Sequence, residues 1–352
     1  MERITKRSFV KRVIGWIGSI TIIKSLNSTS LAQQLEDKSK VIIVKHNEAT
    51  DNVRNINAEN VPFMMDEAIK QLTGIATISD AWLSLLPNYK KEHVIAIKVN
   101  PIGGYVFTHP DVVKAIVSGL TSAGVPENNI IIYDRTSAEL NSGGFQYNIG
   151  DTGVRCFGTD EAGWGYDWDN PFQIMGQNRA ISKIVTRCDH LINVPVLKVH
   201  LEQYGVTLSL KNHYGSVDSP SSLHGNFPES CATLNSHEAI KNKTRLVVID
   251  GLFGCWGSVQ TTWVIDCAPN SLIISKDPVA ADYIGTDMLN QERAKHGLPP
   301  RNVPLLEKAS QMGLGTNDPE KMDLIKMEFG EPGKSIDPKG SYKTQQGKIK
   351  RY

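Results

Sequence analysis

The sequence lacks several features that would assign it to a familiar class of protein. Only five of its 352 residues are cysteine, which is too few for a disulfide scaffold. It contains no Gly-x-Gly-x-x-Gly motif, no phosphate loop and no serine nucleophile elbow, so the usual signals for dinucleotides, nucleotides and serine hydrolases are absent. It also lacks an excess of charge, because 38 basic and 37 acidic side chains give a formal net charge of +1. A dedicated nucleic-acid-binding protein is usually strongly basic, and that class is therefore not expected.

What the chain does contain is typical of a globular protein. Hydrophobic residues make up 40% of it and charged residues 21%, which excludes a disordered, collagen-like or coiled-coil chain. A length of 352 residues is sufficient for one large domain or two modest ones with a proper core.

The first 32 residues have the pattern of an export signal. Basic residues precede an apolar stretch over residues 13–23, and Ser30 and Ala32 are small residues at the spacing of a signal-peptidase site. The stretch is shorter than the about 20 apolar residues that span a bilayer. Residues 5–11 resemble a twin-arginine signal in which Lys6 replaces the first arginine. We expect cleavage after Ala32, recognition by the twin-arginine export machinery and a periplasmic location; an uncleaved amphipathic anchor is the alternative.

The near-neutral total charge hides regions of opposite sign. Residues 331–352 carry six basic and two acidic side chains and are rich in Gly, Pro, Ser and Gln, which predicts a solvated, poorly ordered tail. Residues 33–330 carry 26 basic and 34 acidic side chains. This acidic body is predicted to be the folded domain, and it is not expected to bind nucleic acid.

Short β-rich runs alternate with helical patterns along the body. The pattern predicts an α/β fold: a mostly parallel open sheet covered by helices, in a single elaborated domain with long loops. The predicted strands are residues 40–45, 93–99, 129–133, 190–194, 245–249 and 271–275. A helix is predicted from Pro110, ending near Gly124, and another after Asp277. Residues 136–180 and 212–235 are predicted as long loops, and loops of this length inside a domain usually contribute to a site.

Polar residues follow the predicted strands. Ligands of open parallel sheets bind outside the carboxyl ends of the strands, so these residues are the candidates for a site. The candidates are Lys98, Asn100, Asp134, Lys198, His200, Asp250 and Asp277, together with Lys211, Asn212 and His213, which lie before the fifth strand.

The same residues lie in motifs that resemble the domain of unknown function 362 family. The motifs are Lys98-Val99-Asn100, His109-Pro110, the stretch 193–200, Ser209-Leu210-Lys211-Asn212, Asp250-Gly251 and Asp277-Pro278-Val279-Ala280. The resemblance covers about residues 40–290 in the same order. It implies an α/β domain without a defined activity. Many relatives carry iron–sulfur ferredoxin modules, but this chain has no Cys-x-x-Cys motif, so it is not expected to hold such a cluster itself.

Three lysines are predicted to form a cationic pocket. Lys98, Lys198 and Lys211 would attract a carboxylate or a phosphate, and a lysine desolvated in such a pocket has a lowered pKa and acts as a base or nucleophile. Lys198 and Lys211 are the catalytic candidates. Lys98, Asn100, Asn212 and Asp277 are the ligand-binding candidates. The alternatives are unrelated surface lysines, a local cap for Asn212 and a helix cap for Asp277.

Histidines and aspartates supply the remaining candidates. His200 and His213 are predicted to serve as acid/base groups or metal ligands, because imidazole and carboxylate together suit transition metals. Asp134 and Asp250 would complete a metal site or orient a histidine. The alternative for each histidine is a hydrogen-bonding loop residue.

The sequence supports two functional hypotheses. The first is an exported protein that binds an anionic small molecule, with enzymatic turnover and a divalent metal left open. The second is a non-catalytic cofactor-binding or accessory protein that serves a redox partner. Metal analysis of the protein purified from its own host would distinguish them.

Overall fold

Each of the six predicted β-rich runs corresponds to an observed strand, and the part of the chain that the structure describes contains six further strands. The computed structural model describes residues 38–51, 55–257, 264–331 and 348–352, and the predicted export signal lies outside these ranges. The strands are β1 (Ser39–His46), β2 (Ile95–Val99), β3 (Ile130–Tyr133), β4 (Arg155–Cys156), β5 (Phe172–Ile174), β6 (Gln177–Arg179), β7 (His190–Val194), β8 (Val196–Lys198), β9 (Thr244–Cys255), β10 (Ser271–Ser275), β11 (Met322–Phe329) and β12 (Lys348–Arg351).

Helices connect most of these strands. They are α1 (Asn60–Thr73), α2 (Ile78–Ser84), α3 (Pro110–Ser122), α4 (Ser137–Ser142), α5 (Lys183–Arg187), α6 (Ser209–Asn212), α7 (Glu229–Ser236), α8 (Glu238–Lys241), α9 (Pro278–Lys295) and α10 (Pro304–Gln311). Both predicted helices are confirmed, and each begins at a proline as α3 and α9. None of the described helices is both long and apolar enough to cross a membrane.

The main sheet has ten strands in the order β12-β11-β1-β10-β9-β7-β2-β3-β4, with β8 paired to β9. β10 is antiparallel to both of its neighbours and β12 is antiparallel to β11, whereas the other pairs are parallel. The predicted α/β class with a mostly parallel sheet is therefore confirmed.

The sheet is covered by apolar side chains on both faces. Residues of one strand alternate between two core clusters: Ala96 belongs to one cluster, while Ile95 and Ile97 belong to the other, as the period of two in a strand requires. β2 and β7 are buried along their whole length, which is typical of parallel strands between two helical layers. α3 packs so closely on α2 that a Cβ at Gly119 would lie 2.0 Å from Trp82 Nε1.

Two predicted segments contain more regular structure than their composition indicates. The tail was expected to be poorly ordered; its residues 332–347 lie outside the described ranges, whereas Lys348–Arg351 form β12, which pairs with β11 at the edge of the sheet. The compact unit accordingly runs from Ser39 to Tyr352. The predicted long loops also contain regular structure, including α4, the β5–β6 hairpin and 3-10 turns at 213–216 and 220–226. Local hydrogen bonds within these segments satisfy backbone groups that composition alone suggested would face water.

Candidate functional site

A cleft of about 240 Å³ opens at the carboxyl ends of the parallel strands. Its lining consists of Lys98, Asn100, Ile102, Asp134, Arg135, Lys198, His200, Thr207, Lys211, Asn212, Tyr214, Gly215, Pro220, Ser221 and His224. Lys98 lies in β2, Asp134 follows β3, and Lys198 ends β8. The cleft thus brings together seven of the residues predicted from the sequence: Lys98, Asn100, Asp134, Lys198, His200, Lys211 and Asn212.

The base of the cleft is a buried ion pair. Lys98 Nζ lies 2.6 Å from Asp134 Oδ1, and the two side chains are 1% and 3% exposed. Lys98 also donates to the Val99 carbonyl at 2.7 Å and to Asn212 Oδ1 at 3.2 Å. Burial lowers the pKa of Lys98 and raises the pKa of Asp134, and the attraction between the two opposes both effects. We call Lys98, Asp134 and Asn212 the cleft floor.

The cleft floor leaves no room for a side chain at position 215, which is a glycine. A Cβ at this position would lie 2.0 Å from Asp134 Oδ1 and 2.8 Å from Lys98 Nζ. The 3-10 turn at His213–Ser216 therefore rests directly on the ion pair, and any larger residue at position 215 would displace one of the two charges.

Lys198 holds the loop that follows β2. Its Nζ donates to Asn100 Oδ1 at 3.3 Å, to the Val106 carbonyl at 3.0 Å and to the Ile102 carbonyl. Burial lowers the pKa of Lys198 to about 7. Three oxygen acceptors match the three N–H groups of an ammonium ion, so this side chain fastens the loop to β8.

Lys211 has different surroundings, although it lines the same cleft and is only 8% exposed. Its Nζ lies 3.2 Å from His224 Nε2, 4.6 Å from the centre of the Tyr214 ring and 5.7 Å from that of Tyr204. Within the described part of the chain, no carboxylate lies at ion-pair distance from it. Burial lowers the pKa of Lys211 to about 8. We call Tyr204, Tyr214 and His224 the aromatic wall.

The two cleft histidines are held in defined orientations. His224 Nδ1 lies 3.3 Å from the Ser221 carbonyl, so Nδ1 carries the proton and Nε2 accepts from Lys211. Burial and the nearby Lys211 lower the pKa of His224. His200 Nδ1 accepts the Leu201 N–H at 2.8 Å, which leaves the proton of the neutral ring on Nε2. Burial, with Lys211 and His224 nearby, lowers the pKa of His200 to about 3.

Asp282 positions the helix that carries Lys211 and Asn212. Its carboxylate, on α9, accepts the Ser209 N–H at 2.7 Å and the Leu210 N–H at 3.0 Å, at the first residues of α6. Burial raises the pKa of Asp282 to about 7, and these hydrogen bonds oppose the rise. Sequence reasoning missed this residue. The available signal was an acidic side chain within the apolar pattern of α9.

His213 does not line the cleft that brings together the other predicted catalytic residues. Its Nε2 lies 3.2 Å from Asn193 Nδ2 and its Nδ1 lies 3.2 Å from Ser216 Oγ. Burial lowers the pKa of His213 to about 3. The side chain faces a separate cavity of about 180 Å³, because the turn after α6 directs it beneath the cleft floor while Lys211 faces the aromatic wall.

Asp250 is also placed elsewhere. β9 continues to Cys255, so Asp250 lies inside a strand and not at its end. Its carboxylate accepts the His109 N–H at 2.8 Å and the Leu252 N–H at 3.1 Å, and it lies 2.7 Å from His109 Nδ1. Burial lowers the pKa of His109, but the charge and hydrogen bond of Asp250 outweigh it and raise that pKa overall. Asp250 therefore orients a histidine, one of its predicted alternatives.

Asp277 caps a helix at the ends of the parallel strands that lie opposite the cleft. It follows β10, which is antiparallel to β9 and β1, so its carboxyl end points away from the cleft. The Asp277 carboxylate accepts the N–H groups of Val279 and Ala280, each at 2.9 Å, at the start of α9. Asp277 thus forms the helix cap that was its predicted alternative, and it does not line the cleft.

These placements separate the four predicted metal ligands. Asp134 and His200 line the cleft, whereas Asp250 and His213 do not. Over the residues that the structure describes, no three His, Cys, Asp or Glu side chains are close enough to hold a metal ion. The predicted ligand set is thus not formed, because Asp250 and His213 are both turned toward partners of their own.

Several lining residues were not singled out from the sequence. Arg135, Thr207 and Tyr214 line the cleft together with His224. Arg135 is paired with Glu139, four residues further along. Most of the missed residues belong to irregular segments, where neither helical nor strand periodicity predicts which way a side chain points.

Comparison with known proteins places the cleft within a family. A family model described as "Domain of unknown function (DUF362)" matches residues 93–287, which is more than half of the chain. The matched region contains the cleft residues from Lys98 to His224. No curated protein matches the chain.

Proposed function

The chain belongs to the DUF362 family, and we propose that its cleft binds a small anionic molecule. Lys211 is the residue that contacts the anion directly. Lys98, Lys198 and Arg135 contribute positive charge to the same lining.

The observation that carries the proposal is the surroundings of Lys211. The cleft is lined by four basic side chains but by only one carboxylate, Asp134, which is already paired with Lys98. A buried ammonium group without a carboxylate is costly, because it has lost water and gained no opposite charge. An anionic ligand would supply the missing charge at Lys211.

The lining also contains neutral donors. The Thr207 hydroxyl and the His200 ring, with its proton on Nε2, belong to the same surface. Hydrogen bonds from such groups to an ionised acceptor are stronger than those between neutral groups. A carboxylate or phosphate in the cleft would therefore be bound by hydrogen bonds as well as by charge.

The size of the cleft limits the ligand. A cavity of about 240 Å³ is smaller than the about 300–1,000 Å³ of typical ligand pockets. The proposed ligands are therefore short carboxylates and simple phosphates.

Thermal unfolding with small anions tests this proposal. Oxalate and inorganic phosphate are the probes, and the neutral molecule acetamide is the ligand control. We expect at least one anion to raise the Tm of the wild-type protein and of Lys114→Met, a variant at a lysine that is 77% exposed. The same anion should not raise the Tm of Lys211→Met. An equal rise in both variants would show that binding does not involve the cleft.

Export is a second part of the proposal. Residues 1–32 support it through their basic start, apolar stretch and small residues at 30 and 32. We expect the protein from its own host to begin at Gln33 and to be found outside the cytoplasm. The double variant Lys6→Gln/Arg7→Gln should keep the protein in the cytoplasm with the leader attached. Unchanged location and mass in that variant would contradict export through the twin-arginine machinery.

A further inference from the structure

We propose that Lys211 is a nucleophile that forms an imine with a small 2-oxo acid bound in the cleft. This inference rests on the proposed function, because the carboxylate of the 2-oxo acid is the anion that the cleft binds. It adds a substrate class and a covalent step on a named atom, Lys211 Nζ.

The three cleft lysines differ in what their amino groups contact. Lys198 has three oxygen acceptors, on Asn100, Ile102 and Val106. Lys98 contacts the Asp134 carboxylate, the Asn212 side chain and the Val99 carbonyl. In both cases the contacts occupy the three bonding directions of the amino group, so none of them is left for a substrate.

Lys211 Nζ makes no hydrogen bond to an oxygen atom of the described residues. Its hydrogen-bond partner is His224 Nε2 at 3.2 Å, and the rings of Tyr214 and Tyr204 flank it. Ring faces attract a cation but accept weaker hydrogen bonds than oxygen does. The amino group is therefore the least constrained of the three and the one that can present a lone pair to the cleft.

His224 can accept the proton that Lys211 must lose. Its Nδ1 donates to the Ser221 carbonyl, so Nε2 has a lone pair aimed at Lys211 Nζ. A nucleophile with a base at hydrogen-bond distance, whose other nitrogen is fixed by a third group, is the general arrangement of an activated nucleophile. His224 is thus the base, and Ser221 holds its ring in the required tautomer.

The step balances without an oxidant or a reductant. Lys211 passes a proton to His224, and the Nζ lone pair adds to the carbonyl carbon of the 2-oxo acid. The carbonyl electron pair moves to oxygen, which takes one proton from the attacking nitrogen and one from the protonated His224. The oxygen then leaves as water, and His224 is neutral again. A C=N bond to Lys211 replaces the C=O bond, and the carboxylate remains near the positive charges of Lys98 and Lys198.

Reductive trapping in the wild-type protein tests the inference. The full chain is incubated with glyoxylate, the smallest 2-oxo acid, and sodium cyanoborohydride, and the modified lysines are located by peptide mass spectrometry. We expect Lys211 to be labelled at least tenfold faster than Lys98, Lys198 and the exposed Lys114. Labelling of Lys211 no faster than that of Lys114 would overturn the inference.

Two variants separate this inference from the proposed function. Lys211→Arg keeps the charge but lacks an amine nucleophile, so it should give no label at position 211 and a larger Tm rise with oxalate than Lys211→Met gives. His224→Phe keeps an aromatic ring without the base, and it should slow labelling of Lys211 by about tenfold relative to labelling of the exposed Lys114 in the same sample. Unchanged labelling in His224→Phe would contradict the role of His224.

The results with oxalate and glyoxylate also show which of the two proposals fails, the anion site or the imine. If oxalate raises the Tm in a Lys211-dependent way but glyoxylate gives no adduct, the imine is wrong and the anion site stands. If neither probe acts at Lys211, both proposals fail. If the neutral aldehyde propanal labels Lys211 as fast as glyoxylate does, a carboxylate is not recognised and the 2-oxo acid assignment is wrong.

Discussion

The cleft floor and the aromatic wall surround two lysines of one cleft, Lys98 and Lys211, but differ in how they satisfy the polar groups of these lysines. On the floor, Lys98 is matched by Asp134 and Asn212. Beneath it the network continues, because Asn212 Nδ2 donates to Asn193 Oδ1 at 2.7 Å and Asn193 approaches His213 at 3.2 Å. At the wall, Lys211 contacts one ring nitrogen and two ring faces.

This difference distinguishes structural from functional lysines. A fully matched buried network makes one conformation unique, and its members are costly to remove individually. A buried cation without an opposite charge reduces stability, so its presence points to a ligand. Burial alone would not have distinguished Lys98 from Lys211, since both are below 10% exposed.

The largest expected loss of stability comes from removing one partner of the Lys98–Asp134 ion pair in the cleft floor. Lys98→Met leaves the Asp134 charge buried without its partner, and we expect a loss of about 3–5 kcal/mol in unfolding free energy. The double variant Lys98→Met/Asp134→Leu should recover much of this loss, because no isolated charge remains. Urea unfolding of both variants measures the difference. Equal stability of the single and double variants would show that the pair is not coupled.

A second prediction concerns pH and His213, beneath the floor. Burial lowers its pKa to about 3 in the folded protein, whereas an unfolded chain takes up this proton near pH 6.5. The unfolded state therefore binds more protons between these values, so stability is complete above pH 6.5 and falls as the pH drops. The expected slope from this residue is about 1.4 kcal/mol per pH unit.

Comparison of the wild-type protein with His213→Gln isolates that slope. Unfolding free energies are measured by urea at pH 7.5 and pH 5.5. We expect a lower stability of the variant at pH 7.5 but a shallower decline toward pH 5.5. A decline as steep as in the wild-type protein would assign the acid sensitivity to other groups.

A third prediction extends the comparison to Asp277, at the ends of the parallel strands opposite the cleft. Asp277→Ala removes the acceptor for the first N–H groups of α9 and for the Thr316 N–H at 2.9 Å. Loss of such a cap costs about 1–2 kcal/mol. The oxalate response of the cleft should remain, since Asp277 lies elsewhere. A lost response would place Asp277 in the binding site after all.

The smallest effect on stability is expected at the wall. Lys211→Met replaces a buried amino group by an apolar chain of similar length, so the unfolding free energy should change by less than about 0.5 kcal/mol or increase. Anion affinity should nevertheless fall at least tenfold, as measured by calorimetry with oxalate. A stability loss above about 2 kcal/mol would mean that Lys211 is structural, like Lys98.

Much of the fold followed from local patterns. The run 93–99 and the helix at Pro110 were predicted because alternation, periodicity and a proline at the first helical position are short-range signals. The three lysines could also be predicted to meet, since parallel strands place their carboxyl ends at one edge. The sequence could not show which of them had partners, because those partners come from distant segments: Asp134 for Lys98, and His224 for Lys211.

The sequence by itself determined the fold class, the main strands and helix starts, and the lysines that line the cleft. Only the tertiary structure decided the direction of β10 and the length of β9. The direction of β10 places Asp277 at the ends of the parallel strands that lie away from the cleft, and the length of β9 places Asp250 inside a strand. The tertiary structure also decided how residues 213–224 fold over the cleft. The physical reason is that periodicity and caps depend on neighbouring residues, whereas strand direction and loop placement depend on packing against the whole sheet.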